Sequence, residues 1–326
     1  MKADAVFQGG GVKGIGLVGA VAEIEKAGYE FENLAGTSAG AIIAGLLAVD
    51  YTASEIKTEL EKLNYNNFKD EGFLDKCGII GKSINLALTD GVYKGQYFES
   101  WFNNLLRLKG KTTFGQIKTD YPEEKYRYRL QIIATDITDH RMLVLPQDLK
   151  DFGFIPDEFS IARAVRMSMS IPLFFEPVRL EDSMGKVHMI VDGGVLSNYP
   201  IWLLDDNSNN PPWPTFGFKL IEPNTRELKV GQKNDIDNPI HYLLALAGTM
   251  MDAHDNFYIS QSKGDYDRTI GISTVIDLNG TPKAIKTTNF DITQEESMLL
   301  FANGEQSARD FLNTWDFEAW KSKYRQ

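Results

Sequence analysis

The chain has 326 residues, 43% of them hydrophobic and 24% charged, and a formal net charge of −11. That apolar fraction excludes a disordered or fibrous chain, and the length allows roughly one to three domains. The acidic balance excludes a broad nucleic-acid footprint, which needs a clustered basic surface. The single cysteine, Cys77, excludes an internal disulfide and a multi-thiolate zinc site; it reads as a small packed residue.

The N-terminus, Met1-Lys2-Ala3-Asp4, puts an acidic residue where the apolar region of a signal peptide would begin. The longest apolar run, Ala39 to Val49, falls well short of the roughly 20 residues that cross a bilayer. A soluble, cytoplasmic protein is the expectation. Ala3 to Phe7 reads as a strand that runs into Gln8-Gly9-Gly10-Gly11. Ile15 to Ala27 has helical spacing and stops at Gly28; Phe31 to Ala35 is a second short strand. Ser38 to Val49 is a helix with almost no polar surface and should lie inside. Thr52 to Leu63 is a further helix with Ile56, Leu60 and Leu63 on one face, and Asn64 to Tyr93 is irregular. Lys94 to Leu108 is a strongly amphipathic helix.

Tyr128 to Ala134 and Arg141 to Leu145 read as strands forming a hairpin across Thr135 to His140. Ser160 to Met169 is a helix ended by Ile171-Pro172. Val187 to Val191 and Phe216 to Ile221 are strands, Asp206 to Pro214 is a loop, and Ile240 to Gln261 and Glu295 to Trp315 are long helices. Alternating strands and helices imply parallel strands with helical crossovers. One α/β domain over residues 1–326 accounts for this pattern.

Three segments carry chemistry. Gly36-Thr37-Ser38-Ala39-Gly40 is a G-x-S-x-G match between a predicted strand and an apolar helix. In that context the pattern is a sharp turn that projects the serine hydroxyl at a helix N-terminus, where unpaired N–H groups favour an oxyanion. The competing reading makes Ser38 an ordinary helix N-cap. Gly9-Gly10-Gly11-Val12-Lys13-Gly14 can form a concave nest of backbone N–H groups for an anion. Asp192-Gly193-Gly194 closes a predicted strand.

A serine nucleophile needs a base. The chain has four histidines: His140, His188, His241 and His254. Ser38, Asp192 and either His241 or His254 would match the usual order of a hydrolase triad. Both of those histidines, however, fall in or at the start of a predicted helix. His188, inside a strand, reads as solvated or packed. Asp192 contacting the serine directly would need no histidine, so the residues alone leave dyad and triad open. A nucleotide site is the other alternative. Gly9, Gly11 and Gly14 fit G-x-G-x-x-G, and Glu30 and Glu32 lie near the spacing that a ribose-binding acid requires.

The glycine loop, the G-x-S-x-G elbow and the Asp192-Gly193-Gly194 turn, in this order, resemble the patatin-like phospholipases. The stretch from Ala164 to Pro177, with Ser168, Ser170, Pro172 and Phe175, and then Asn198-Tyr199-Pro200 extend the resemblance over roughly residues 4–201. It implies a three-layer α/β/α fold with a mostly parallel central sheet, completed by residues 202–326. It also implies a Ser–Asp dyad that hydrolyses lipid acyl esters through an acyl-serine, without a cofactor or metal. Ser38 would be the nucleophile and Asp192 the base. Gly9, Gly10, Gly11, Val12, Lys13 and Gly14 would form the oxyanion loop, with Gly36 and Gly40 shaping the elbow. Phe174 and Phe175 would border the acyl chain, and the partners would be a lipid ester and, transiently, a membrane or micelle surface.

Of the remaining features, the stripe Tyr97, Trp101 and Leu105 reads as core. Glu295-Glu296 reads as a solvated helix start, and Asp136, Asp139 and His140 read as a surface loop. Asn64 to Tyr93 is the expected lid. The high negative charge argues against general attraction to anionic membrane.

Overall fold

A computed structural model describes residues 1–63, 91–206, 208–221, 264–287 and 291–325. Cys77, His241, His254, the expected helix from Ile240 to Gln261 and nearly all of the expected lid lie outside the described residues. The first unit runs from strand β1 (Lys2–Phe7) through a 3-10 turn (Gly11–Lys13) and helix α1 (Gly14–Lys26) to strand β2 (Glu30–Thr37). Helix α2 (Ala39–Ala48) follows with one residue between, and α3 (Ala53–Glu61) comes next. Thr52 and Glu55 form a reciprocal capping box that starts α3.

Gly91–Tyr93 is not irregular but a short strand, β3, paired in parallel with β6 (Leu173–Phe175). Helix α4 (Gln96–Leu108) buries Phe98, Phe102, Leu105 and Leu106; Tyr97 is exposed, so the apolar face is rotated from the expected stripe. Strands β4 (Leu130–Asp136) and β5 (Arg141–Leu145) form the expected antiparallel hairpin. Helix α5 (Ile161–Ser168) starts at Ser160, whose hydroxyl accepts from the Arg163 N–H. Strands β7 (Val178–Glu181), β8 (Val187–Asp192), β9 (Thr215–Ile221) and β10 (Thr269–Ser273) follow, then the hairpin of β11 (Val275–Leu278) and β12 (Thr281–Ala284). Helices α6 (Gln294–Thr314) and α7 (Phe317–Tyr324) close the chain.

The main sheet has the order β10-β9-β1-β2-β4-β8-β7, with β5 also on β4. From β10 to β4 every pairing is parallel; β8, β7 and β5 are antiparallel additions. Phe7, Leu34 and Phe218 lie in one apolar cluster with residues of α1, α2 and α6. On the other face Val6, Ala35 and Ile133 pack against Leu203 and Leu204. This is a mostly parallel sheet with flanking helices, the α/β/α architecture anticipated above. No helix among the described residues is long and apolar enough to cross a membrane.

Glu296 is buried, not solvated. It is the third residue of a capping box with Thr293 and pairs with Lys283, so the fold encloses it as part of the helix start.

Candidate active site

The sheet register brings the three motifs together. Phe7 is opposite Gly36, Thr37 opposite Ile133, and Ala134 opposite Asp192. The ends of β1, β2 and β8 therefore lie along one edge of the sheet, with β4 between β2 and β8. At the elbow, Ser38 has φ 53 and ψ −123, a conformation a non-glycine residue adopts only under strain. Its neighbours must be glycine because the turn is so tight. A Cβ on Gly36 would overlap the Gly40 backbone, and one on Gly40 would overlap the Phe7 and Gln8 carbonyls.

Ser38 occupies the N-cap position of α2, yet its side chain caps nothing. The buried hydroxyl lies beside Asp192 and pulls that carboxyl's pKa down. Burial acts more strongly in the other direction. Asp192 is fully buried, and desolvation raises its pKa from 3.8 to about 7 against the effects of Ser38 and of the Gly194 N–H. Asp192 Oδ1 accepts from Gly194 N–H at 2.8 Å; Oδ2 is buried with no hydrogen bond formed. Ser38 thus supplies a hydroxyl near an acceptor that has a free lone pair, and both residues are buried.

The glycine loop stands against this pair. A Cβ built on Gly9 would come within 3.1 Å of Ser38 Cβ and overlap Asn198 Oδ1. Four of the six N–H groups in the loop are already engaged. Gly9 donates to the Asn198 carbonyl at 3.0 Å, Val12 to Thr287 at 3.2 Å, Lys13 to Gly10 at 3.2 Å, and Gly14 to Gly11. Gly10 and Gly11 form no hydrogen bond through their N–H groups among the described residues, which narrows the loop's open donors to those two. Lys13 is buried. Phe175 is buried beneath the Arg166 guanidinium, 5.2 Å from the ring centre, while Phe174 is half-buried against Tyr93 at 4.9 Å.

Three features escaped the sequence reading. Ser168 Oγ accepts from the Ser38 N–H at 2.9 Å and donates to the Ile133 carbonyl at 2.6 Å. Thr37 Oγ1 donates to the Ser197 carbonyl at 2.9 Å, tying the elbow to the segment after Asp192. The Asn198 side chain reaches the Gly9 carbonyl at 3.5 Å. The places of Ser168 and Asn198 within the resembling blocks were the signal for two of them; no spacing pointed to the Thr37–Ser197 bond.

The remaining acidic and histidine residues lie elsewhere. Asp136 is fully buried, not a surface group, and its partner is His188 at 2.8 Å, not His140, which is exposed. Ligand-type atoms of Asp136, Asp139 and His188 lie within 4.8 Å of one another, but Asp136 and His188 bond each other and Asp139 pairs with Lys186. Glu30 and Glu32 sit at the start of β2, opposite the start of β1, where Glu32 holds Tyr121 and Lys2. A ribose-binding acid belongs at the other end of that strand, beside the glycine loop. Neither Glu30 nor Glu32 therefore stands where the nucleotide alternative needs its acidic residue.

A family model described as patatin-like phospholipase matches residues 5–205, the span that holds every motif assembled above. The chain belongs to the patatin-like phospholipase family. This patatin-like chain is 40% identical over 319 residues to the protein YqhO of Bacillus subtilis (strain 168), covering 97% of this chain and 100% of that one. It is 28% identical over 196 residues to a probable lipid hydrolase of Invertebrate iridescent virus 6, covering 60% of this chain and 61% of the viral protein. The fold of the patatin-like chain is also similar to VipD from Legionella pneumophila, with TM-score 0.56 and 19% identity over 96% of this chain and 67% of VipD.

Proposed function

We propose that this protein hydrolyses acyl esters of lipids through a covalent acyl-Ser38, with Asp192 as the general base. One observation carries the reading: the Ser38 hydroxyl leaves its helix uncapped and lies beside a buried carboxylate whose Oδ2 has no other partner. Family membership and the viral lipid hydrolase support a lipid ester as substrate.

In the acylation step Asp192 Oδ2 takes the hydroxyl proton as Ser38 Oγ attacks the ester carbonyl carbon. The carbonyl oxygen becomes an oxyanion, for which the N–H groups of Gly10 and Gly11 are the open donors, with the positive end of α2 adding to the field. Collapse breaks the bond to the alcohol, which leaves with the proton returned by Asp192. Water then attacks acyl-Ser38, gives its proton to Asp192, and the fatty acid departs as Ser38 recovers its hydrogen. A base of pKa about 7 suits this exchange, since it can both accept and return a proton near neutrality. Phe174, half-buried where Phe175 is enclosed, is the better placed of the two phenylalanines to touch an acyl chain, and a membrane or micelle surface would present the ester.

The test is intact mass after exposure to a long-chain fluorophosphonate, comparing wild type with Ser38→Ala. One adduct on wild type and none on the variant is the expected result. A folded wild-type protein that takes no adduct overturns the reading.

A further inference from the structure

The nucleophile and the base come from different strands, and the same short segment grips both. At the end of α5, Ser168 Oγ accepts the Ser38 N–H at 2.9 Å. Two residues later, the Ser170 carbonyl accepts the Asp192 N–H at 2.9 Å. Each grip is itself anchored. Ser168 Oγ donates to Ile133 at 2.6 Å, the residue opposite Thr37 in the sheet. Ser170 Oγ donates to the Arg166 carbonyl at 2.8 Å and receives the Arg166 guanidinium. That guanidinium, buried on Phe175, also donates to the carbonyls of Lys94 at 2.7 Å and Glu176 at 2.9 Å. Ser168 and Ser170 are both fully buried.

We infer that the Arg166–Ser170 segment is a brace that sets the distance between Ser38 and Asp192, with Ser168 as the positioning residue for the nucleophile. The inference rests on the Ser–Asp reading above. Ser38 is held in a strained conformation at a helix start that its side chain does not cap. Its N–H is spent on Ser168, so this group is not an oxyanion donor; the bond instead fixes the plane of the peptide that carries the nucleophile. Without it the Ser38 N–H loses the bond that orients it, Thr37 alone holds the peptide through its strand pairing and its bond to Ser197, and the hydroxyl drifts from the vacant Asp192 Oδ2. A displacement near 1 Å in a reacting pair costs about 100-fold in rate.

The experiment uses Ser168→Ala and Ser168→Cys in the full chain, read by the rate and final stoichiometry of fluorophosphonate labelling and by kcat and KM on a fluorogenic long-chain acyl ester. Alanine leaves the site underfilled and cysteine overfills it slightly, while both lose the strong acceptor, so an effect common to the two reports the bond and not a change of volume. Both variants are expected to reach one adduct per chain, 10- to 100-fold more slowly than wild type, with kcat lowered in proportion and KM within about twofold. The pH midpoint should stay where it is in wild type, because the surroundings of Asp192 are unchanged. Wild-type labelling rates in Ser168→Cys overturn the brace, even if Ser168→Ala fails to fold. So does a loss that appears only as a lower adduct stoichiometry, which reports unfolded chains. Absence of any adduct on wild type is a separate outcome, which overturns the Ser–Asp reading and the brace with it.

Discussion

Asp4 and Asp192 are both buried on the central sheet, and desolvation raises both to a pKa of about 7. They differ in what surrounds the carboxylate. Asp4, near the start of β1, accepts from the Asn33 N–H at 3.0 Å and from Asn33 Nδ2 at 2.8 Å, with the Trp213 side chain also lowering its pKa. It ties β1 to β2 at the point where their register shifts. Asp192 has one backbone N–H on Oδ1 and a vacant Oδ2 next to a serine hydroxyl. A displaced pKa therefore does not set these two carboxylates apart. The proposed role of Asp192 rests instead on a buried acceptor left without a partner beside an uncapped hydroxyl.

The widest separation between the two should be in turnover. Ser38→Ala and Asp192→Asn should each lower kcat about 10,000-fold, the scale seen when one member of a nucleophile–base unit is removed. Asp4→Asn should stay within about twofold. Ester hydrolysis by the purified variants measures this, and near-wild-type turnover in Asp192→Asn would break the comparison.

Stability should move next, and in the opposite sense to activity. The folded pKa of Asp192 lies above the unfolded value near 3.8, so the folded protein keeps a proton that the unfolded chain releases. The stability this contributes is fully present below about pH 3.8 and is lost as pH rises through about 7, by up to roughly 4 kcal/mol. Asp192→Asn removes the desolvated charge and should be more stable than wild type at pH 8, with the gain vanishing near pH 4. Asp4→Asn should gain at least about 1 kcal/mol less, because an amide offers its donors one acceptor oxygen instead of two. Urea unfolding at pH 4, 6 and 8 reads both.

The smallest effect is the pH profile. A base that must be ionised gives a kcat/KM that rises about tenfold per pH unit below about 7 and levels above it. Asp4→Asn should leave that midpoint in place, although Asp4 titrates in the same range. A midpoint that follows Asp4 would assign the profile to the wrong carboxylate.

The patterns that need only neighbouring residues were legible in the sequence. The strand–glycine–helix order of β1 and α1, the buried α2, the β4–β5 hairpin and the G-x-S-x-G elbow depend on local spacing, and all stand in the fold. The order of three short motifs was specific enough to identify the patatin-like architecture, whose central sheet and matched span agree with it. What the spacing did not carry depends on which distant groups meet. Of the stripe read as core on α4, Leu105 is buried and Tyr97 is exposed, since helical spacing gives a period but not the neighbour each side chain faces. Glu296 and Asp136, read as solvated, are buried because partners remote in sequence satisfy them: Lys283 for one, His188 for the other. The grip of Ser168 on Ser38 joins residues 130 apart, and only sheet register and the docking of α5 bring them within hydrogen-bond reach. Local spacing determined where the serine elbow and the aspartate turn stand in the chain; long-range packing decided that the Ser38 hydroxyl is left uncapped and that Asp192 Oδ2 is left without a partner.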